Sequence, residues 1–173
     1  MLIIRAAQIA DNAHKGQVRK YNNRPYITHP IRVAGRVATH PKATEEMVAA
    51  AFLHDVIEDC GSDWAEAIRC AFPSKTYEIV RELTNVKTPG LNRAEQKQKD
   101  RDKLAAVSEE AKIIKLIDRI DNLLEMDVKN PFTAVYAGES SLLLDVLKDA
   151  DADLAAELSD LIYIRSMIVN SST

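Results

Sequence analysis

A chain of 173 residues with a formal net charge of −3 is about one domain long and is too acidic to be a globally basic nucleic-acid binder. Cys60 and Cys70 are too few and too widely spaced for a zinc knuckle or a disulfide framework. We therefore expect free thiols in a reducing compartment. The sequence also shows neither the apolar run of a signal peptide nor a stretch of membrane-spanning length, so we expect a cytoplasmic protein.

Apolar residues recur at helical spacing along most of the chain, and no segment alternates with the two-residue period of a strand. Together with capping and breaking residues, this pattern predicts nine helices. They lie approximately at residues 2–15, 28–40, 44–60, 63–72, 74–84, 92–103, 109–127, 130–147 and 152–168. We therefore predict an all-α fold, a compact bundle of about nine helices in a single domain over residues 1–173.

A polar loop at residues 16–26 separates the first two predicted helices and contains three cations, Arg19, Lys20 and Arg24. The second helix starts around His29, with a proline at position 30 near the first helical position. The ring of His29 can therefore point away from the helix body. His14, at the end of the first helix, is expected to be structural or exposed.

The third predicted helix begins as one of the most apolar stretches of the chain and ends with His54, Asp55, Glu58 and Asp59. In a continuous helix, His54 and Glu58 share one face, and the two aspartates lie beside them. Charged groups carried on a core helix need partners, because an unpaired buried charge costs several kcal/mol. A divalent metal is one such partner, with the second acidic pair available for acid–base chemistry. The alternative is a solvated helix end without a function.

The seventh predicted helix carries Asp118 and Asn122, four residues apart, together on a face next to its buried stripe. Asp118 can thus project toward the third helix. With His29, His54 and Asp55 it would complete a site of two imidazoles and two carboxylates, with positions left for water. Such mixed nitrogen and oxygen ligation suits Mn²⁺, Fe²⁺ or Zn²⁺, and the oxygen-rich half favours Mn²⁺.

Four segments, in this order, resemble the hydrolase half of RelA/SpoT proteins, which are HD-domain metal-dependent phosphohydrolases. They are Ala13-His14-Lys15-Gly16-Gln17-Val18-Arg19-Lys20, Pro25-Tyr26-Ile27-Thr28-His29-Pro30, Leu53-His54-Asp55-Val56-Ile57-Glu58-Asp59 and Lys115-Leu116-Ile117-Asp118-Arg119. The resemblance covers residues 1 to about 125. The chain is too short to contain a synthetase domain as well, so the small hydrolase-only members are the nearest comparison. Cys60 and Ile117 depart from the family pattern, which usually has Thr and Ala there.

The resemblance implies one Mn²⁺ per chain, with Fe²⁺ or Zn²⁺ as alternatives. Its implied ligands are His29, His54, Asp55 and Asp118. Glu58 and Asp59 match the acidic pair of the family, which positions and activates the attacking water. The implied reaction removes pyrophosphate from the 3′ position of ppGpp or pppGpp and leaves GDP or GTP.

The substrate residues are inferred partly from the resemblance and partly from charge. Arg19 and Lys20 match a basic pair that holds the nucleotide near its base, and Asn122 matches an asparagine near the nucleoside. Because the substrate carries several negative charges, further cations could line the site, namely Arg24, Lys115 and Arg119.

Two other functions stay open at this point. One is an HD phosphohydrolase acting on another nucleotide, such as a nucleoside monophosphate or the 2′-phosphate of NADPH. The other is a regulatory module that binds a nucleotide without turnover, although the intact metal set and acidic pair argue against it. The expected partner is a small-molecule nucleotide, not a nucleic-acid polymer or a membrane, and a homodimer is left open.

Overall fold

A computed structural model describes residues 1–20 and 22–170 of the chain, with side chains up to Met167. Over these residues all the regular secondary structure is α-helical. Val18 and Pro25 form an isolated antiparallel β-bridge. The predicted all-α fold is confirmed. Tyr21, which belongs to the polar loop after the first helix, and residues 171–173 lie outside the described part.

The chain divides into two compact units, Met1–Lys87 and a second unit that begins at Thr88. The described part of the first unit contains six helices. They are α1 (Leu2–Ala13), α2 (Thr28–Ala38), α3 (Glu45–Leu53), α4 (Val56–Cys60), α5 (Asp63–Ala71) and α6 (Ser74–Leu83).

Helix α3 is the core helix of the first unit and packs against α1, α2 and α6. Its residues from Met47 to Ala51, and Leu53 after them, are buried, as expected for a helix that is apolar on nearly all sides. The hydroxyl of Thr44 accepts a hydrogen bond from the amide of Met47 at 3.2 Å and so caps the N-terminus of the helix.

The predicted helix over residues 44–60 is interrupted at His54 and Asp55, so α3 ends at Leu53 and α4 begins at Val56. The Nδ1 atom of His54 lies 2.8 Å from the carbonyl oxygen of Ala51. In an uninterrupted α-helix that carbonyl would accept from the amide of Asp55. The His54 side chain thus competes with the backbone for this acceptor at the boundary between the two helices.

The second unit contains four helices in the described residues: α7 (Arg93–Ala105), α8 (Glu109–Glu125), α9 (Phe132–Leu147) and α10 (Ala152–Asn170). Helix α9 packs against the other three, and α8 also packs against α10. Arg93 on α7 donates two hydrogen bonds to the carboxylate of Glu139 on α9, at 2.7 and 3.0 Å. The side chain of Ser108 caps α8 by accepting from the amide of Ala111.

Among the described helices, none combines the length and the apolar character needed to cross a lipid bilayer. Because the chain divides into two compact units, the prediction of a single domain over residues 1–173 is not tested by the structure and stays a prediction.

Candidate metal and catalytic site

Three of the four predicted metal ligands converge in the first unit. His29, His54 and Asp55 each offer a ligand atom, and these atoms lie within 4.8 Å of one another. The Nε2 atoms of His29 and His54 are 3.6 and 3.1 Å from Oδ2 of Asp55. Both imidazoles are buried, whereas the side chain of Asp55 is 18% exposed, so the carboxylate forms the solvent-facing side of the cluster.

The local structure orients His54 for ligation. A carbonyl oxygen only accepts hydrogen bonds, so the 2.8 Å contact with Ala51 places the ring proton of His54 on Nδ1. The neutral ring then presents a lone pair on Nε2, the atom that faces Asp55. The ring of His29 meets that of His54 edge to face, with centroids 5.1 Å apart. Two imidazole nitrogens and one carboxylate oxygen form a donor set that suits Mn²⁺, Fe²⁺ or Zn²⁺.

Tyr26 joins the cluster to the second acidic pair, and sequence reasoning did not identify it as a site residue. Its hydroxyl oxygen lies 2.8 Å from Oδ2 of Asp55 and 2.7 Å from Oδ2 of Asp59. Tyr26 precedes His29 by three residues at the start of α2, and its ring lies edge to face with that of His29. The spacing to His29 was the signal in the sequence that could have indicated this position.

Burial raises the pKa of Tyr26 far above its usual range, and the negative charges of Asp55 and Asp59 raise it further. The phenol therefore stays protonated at neutral pH and acts as a hydrogen-bond donor. Because it has one proton, it donates to one of the two carboxylates at a time.

The two members of the predicted acidic pair have different surroundings. Both Glu58 and Asp59 are exposed on α4. Glu58 accepts a hydrogen bond from the backbone amide of Asn85 at 2.9 Å, just after the end of α6. Asp59 instead contacts the hydroxyl of Tyr26. Asp59 is therefore connected through Tyr26 to the metal-ligand cluster, and Glu58 binds the backbone just after α6.

The predicted substrate cations of the loop differ in exposure. Arg19 is 5% exposed, and its guanidinium carbon lies 5.2 Å from the centroid of the Tyr26 ring, a cation–π distance. The side chains of Lys20 and Arg24 are exposed. The amide of Arg19 donates to the carbonyl of Arg24 at 2.8 Å, and the amide of Tyr26 donates to the carbonyl of Gln17 at 2.9 Å. The loop is thus closed on itself by backbone pairing.

A further cluster of polar side chains borders Asp59. His14 is buried and stacks on the ring of Tyr26, with centroids 4.4 Å apart. It is therefore a structural residue and not an exposed one, the two alternatives that the sequence left. Its Nδ1 atom lies 2.9 Å from Oε1 of Gln17 and 3.3 Å from Sγ of Cys60. Burial raises the pKa of the Cys60 thiol, so it is a poor nucleophile at neutral pH.

The predicted residues of the second unit form their own cluster on α8. The ammonium of Lys115 lies 2.7 Å from Oδ2 of Asp118, and Nδ2 of Asn122 donates to Oδ1 of the same carboxylate at 2.6 Å. Asp118 itself is buried. The spacing of four residues predicted that Asp118 and Asn122 lie on one side of the helix, and the hydrogen bond between them confirms it. The place of Asp118 among the metal ligands stays a prediction.

Arg119 on α8 is also buried, and its guanidinium lies over the ring of Tyr136 on α9 at 4.3 Å from the centroid. Its Nη1 atom is 3.5 Å from the hydroxyl of Ser140, one helical turn after Tyr136. That Arg119 contacts the substrate stays a prediction, and so do the substrate contacts of Lys115 and Asn122.

The sequence model of the HD domain matches residues 6–144. Guanosine-3′,5′-bis(diphosphate) 3′-pyrophosphohydrolase MESH1 of Xenopus tropicalis is 36% identical over 128 residues, which are 72% of this chain and 69% of that protein. The MESH1 protein of Drosophila melanogaster is 30% identical over 169 residues, 93% of each chain. The human MESH1 protein is 34% identical over 132 residues, 75% of this chain and 72% of that protein.

The chain is also similar to solved protein structures. One is described as a metazoan ortholog of SpoT that hydrolyzes ppGpp and plays a role in starvation responses. It superimposes with a TM-score of 0.83 at 28% identity and covers 95% of both chains. A protein of Listeria monocytogenes has a TM-score of 0.65 at 22% identity, which indicates a shared fold alone. The chain therefore belongs to the HD-domain family, in the branch that contains the MESH1 proteins.

Proposed function

We propose that this protein is a metal-dependent pyrophosphohydrolase that removes the 3′-pyrophosphate of guanosine 3′,5′-bis(diphosphate), converting ppGpp to GDP and pppGpp to GTP. The observation that carries the proposal is the convergence of His29, His54 and Asp55 in a chain of the HD-domain family. The similarity to MESH1 proteins, which are named guanosine-3′,5′-bis(diphosphate) 3′-pyrophosphohydrolases, supports the choice of substrate.

The proposed cofactor is one Mn²⁺ per chain, held by the three clustered residues and by Asp118 as the fourth ligand. A divalent ion of this kind supplies Lewis acidity and makes water a stronger nucleophile at neutral pH. Fe²⁺ and Zn²⁺ are compatible with the same donor atoms. The buried imidazoles of His29 and His54 favour a metal with affinity for nitrogen over Mg²⁺ or Ca²⁺, which prefer oxygen ligands.

In the proposed reaction, the oxygen of a water molecule forms a bond to the phosphorus attached to the 3′ oxygen. The bond between that phosphorus and the 3′ oxygen breaks, pyrophosphate leaves, and the proton removed from the water is delivered to the 3′ oxygen to restore the hydroxyl. Asp59 and Glu58 are the groups available to receive the proton of the attacking water. Asp59 is connected to the ligand cluster through the hydroxyl of Tyr26.

The proposed substrate contacts come from cations and one amide. Arg19 and Lys20 would hold the nucleotide at its base end, where the buried guanidinium of Arg19 is already supported by the Tyr26 ring. Arg24, Lys115 and Arg119 would contribute positive charge, and Asn122 would contact the nucleoside. We also propose a cytoplasmic location, which the free thiols of Cys60 and Cys70 support.

The test is a nucleotide panel incubated with the purified protein and Mn²⁺, with products separated by ion-exchange chromatography. We expect ppGpp to yield equal amounts of GDP and pyrophosphate. GTP should stay intact because it has no 3′ phosphate. An Asp55→Ala variant serves as the metal-site control and should leave ppGpp unchanged.

The same panel separates the alternatives. Consumption of NADPH or of a nucleoside monophosphate while ppGpp survives would replace the alarmone substrate and keep the phosphohydrolase chemistry. Binding of ppGpp without any product would favour a regulatory module. Either result would overturn the proposed reaction.

A further inference from the structure

The hydroxyl of Tyr26 lies between two carboxylates, those of Asp55 and Asp59. The Oη atom of Tyr26 lies 2.8 Å from Oδ2 of Asp55 and 2.7 Å from Oδ2 of Asp59. The Asp55 oxygen in this contact is the same atom that faces the Nε2 atoms of His29 and His54. One phenol therefore touches the ligand oxygen of the metal cluster and a carboxylate of the acidic pair.

The phenol itself is held firmly. Its ring stacks on the buried imidazole of His14 at 4.4 Å with an interplanar angle of 17°. The guanidinium of Arg19 lies 5.2 Å from the ring centroid. The backbone amide of Tyr26 donates to the carbonyl of Gln17, which ties the residue to the loop. A ring with these contacts has little freedom, so its hydroxyl is a fixed point for the two carboxylates.

The carboxylates, by contrast, need such a fixed point. Asp55 lies in the interruption between α3 and α4, and Asp59 is an exposed residue of the short helix α4. An exposed carboxylate on a short helix samples several rotamers unless a hydrogen bond selects one. Groups that hydrogen-bond a metal ligand orient it, and their loss typically costs about 10- to 100-fold in metal affinity or activity.

We propose that Tyr26 is a positioning residue whose hydroxyl holds the carboxylate of Asp59 in register with the metal-ligand oxygen of Asp55. Tyr26 does not take part in bond making. It keeps the carboxylate of Asp59 at a fixed position relative to the Asp55 oxygen of the ligand cluster. This inference rests on the proposed function for its kinetic consequences, but its consequence for metal binding does not depend on the identity of the substrate.

The Tyr26→Phe variant removes the hydroxyl and keeps the ring, so the contacts with His14 and Arg19 are retained. We expect Mn²⁺ affinity, measured by calorimetric titration of metal-free protein, to fall by about 10-fold. With ppGpp, kcat should also fall by about 10-fold or more, while KM stays within about twofold of the wild-type value. The matched control is Tyr163→Phe, which removes the hydroxyl of a tyrosine that is 66% exposed on α10. This control should leave both quantities unchanged.

A double-mutant cycle that combines Tyr26→Phe with Asp59→Asn tests whether the hydroxyl acts through Asp59. A merely structural role of Tyr26 would not make the loss of kcat depend on Asp59. If the hydroxyl acts through Asp59, adding Tyr26→Phe to Asp59→Asn should cost little further kcat. A full additional loss in the Asp59→Asn background would overturn the proposal. It would also be overturned by a Tyr26→Phe variant with wild-type metal affinity and kcat. The same applies to a variant that does not fold, because the hydroxyl would then be structural.

The metal titration separates this inference from the proposed function. If the wild-type protein does not consume ppGpp, the proposed substrate is wrong, while the effect of Tyr26→Phe on Mn²⁺ affinity still tests the positioning of Asp55. If ppGpp is hydrolysed and Tyr26→Phe changes neither affinity nor kcat, the function stands and the positioning role is wrong.

Discussion

The Nε2 atom of His54 lies 3.1 Å from Oδ2 of Asp55, the residue that follows it in the chain. Adjacent side chains on a regular helix point in directions about 100° apart and do not usually face each other. They meet here at the boundary between α3 and α4, where the backbone of Asp55 (φ −98°, ψ −7°) departs from ideal helical values and the His54 ring lies against the carbonyl of Ala51. The interruption of the helix thus builds the two-residue half of the metal site.

Replacing His54 with alanine should abolish metal binding, because it removes one of the two buried imidazole nitrogens of the cluster. The measurement is metal content by elemental analysis after loading with Mn²⁺ and gel filtration. His40→Ala is the matched control, since His40 follows the end of α2 and should leave the stoichiometry intact. Full metal content in a folded His54→Ala variant would contradict the ligand assignment.

Replacing Asp118 with alanine tests the predicted fourth ligand in the same assay. We expect a clear loss of bound Mn²⁺, since three protein ligands hold a divalent ion less tightly than four. Asp121→Ala, three residues later on α8, is the matched control. If the Asp118→Ala variant retains one Mn²⁺ per chain at unchanged affinity, Asp118 serves only its contacts with Lys115 and Asn122.

Mn²⁺ should raise the melting temperature of the wild-type protein, because a ligand that binds only the folded state stabilises it. At a free concentration of 100 times Kd, the free energy of unfolding rises by about 2.7 kcal/mol. For a chain of this size the shift corresponds to roughly 5–10 °C. The measurement is thermal unfolding followed by circular dichroism, with and without the metal. The His54→Ala variant should show no shift, and EDTA should reverse the shift in the wild type.

The Glu58→Gln variant should keep its metal and lose activity by about 10²-fold or more, the usual effect of removing a positioned acid–base group. Glutamine can still accept the hydrogen bond from the amide of Asn85, so the fold near α6 should be unaffected. Steady-state kinetics with ppGpp gives the loss, and elemental analysis confirms the metal. Asp59→Asn is the companion variant. The one with the larger loss identifies the proton acceptor, and activity within a few-fold of wild type in both would place water activation elsewhere.

Replacing Arg19 with alanine should mainly raise KM for ppGpp, because contacts with the base are equal in the ground and transition states. Since Arg19 is buried against the Tyr26 ring, the melting temperature of the variant must be measured alongside the kinetics. Lys42→Ala, an exposed cation after α2, serves as a control for loss of positive charge. A fall in kcat at unchanged KM would contradict a base-contact role.

The local part of the architecture was predictable from the sequence. Apolar spacing predicted helices near each place where the described residues have one, because the amphipathic period depends only on neighbours along the chain. The four residues of the predicted metal set, and the four segments that contain them or lie near them, likewise identified the family from the sequence. The side-by-side placement of Asp118 and Asn122 followed from the helical repeat alone.

The contacts between residues far apart in the chain required the tertiary structure. The sequence placed Tyr26 and Arg19 in one polar loop, but it did not indicate that Arg19 would be buried or that the Tyr26 hydroxyl would reach Asp55 and Asp59. Nor did it predict that α3 would end at Leu53, with the ring of His54 against the carbonyl of Ala51. Residue types and periodicity specify what each segment can do, whereas the distance between two segments depends on how their buried faces pack. That packing brought a phenol, two imidazoles and two carboxylates together in the first unit.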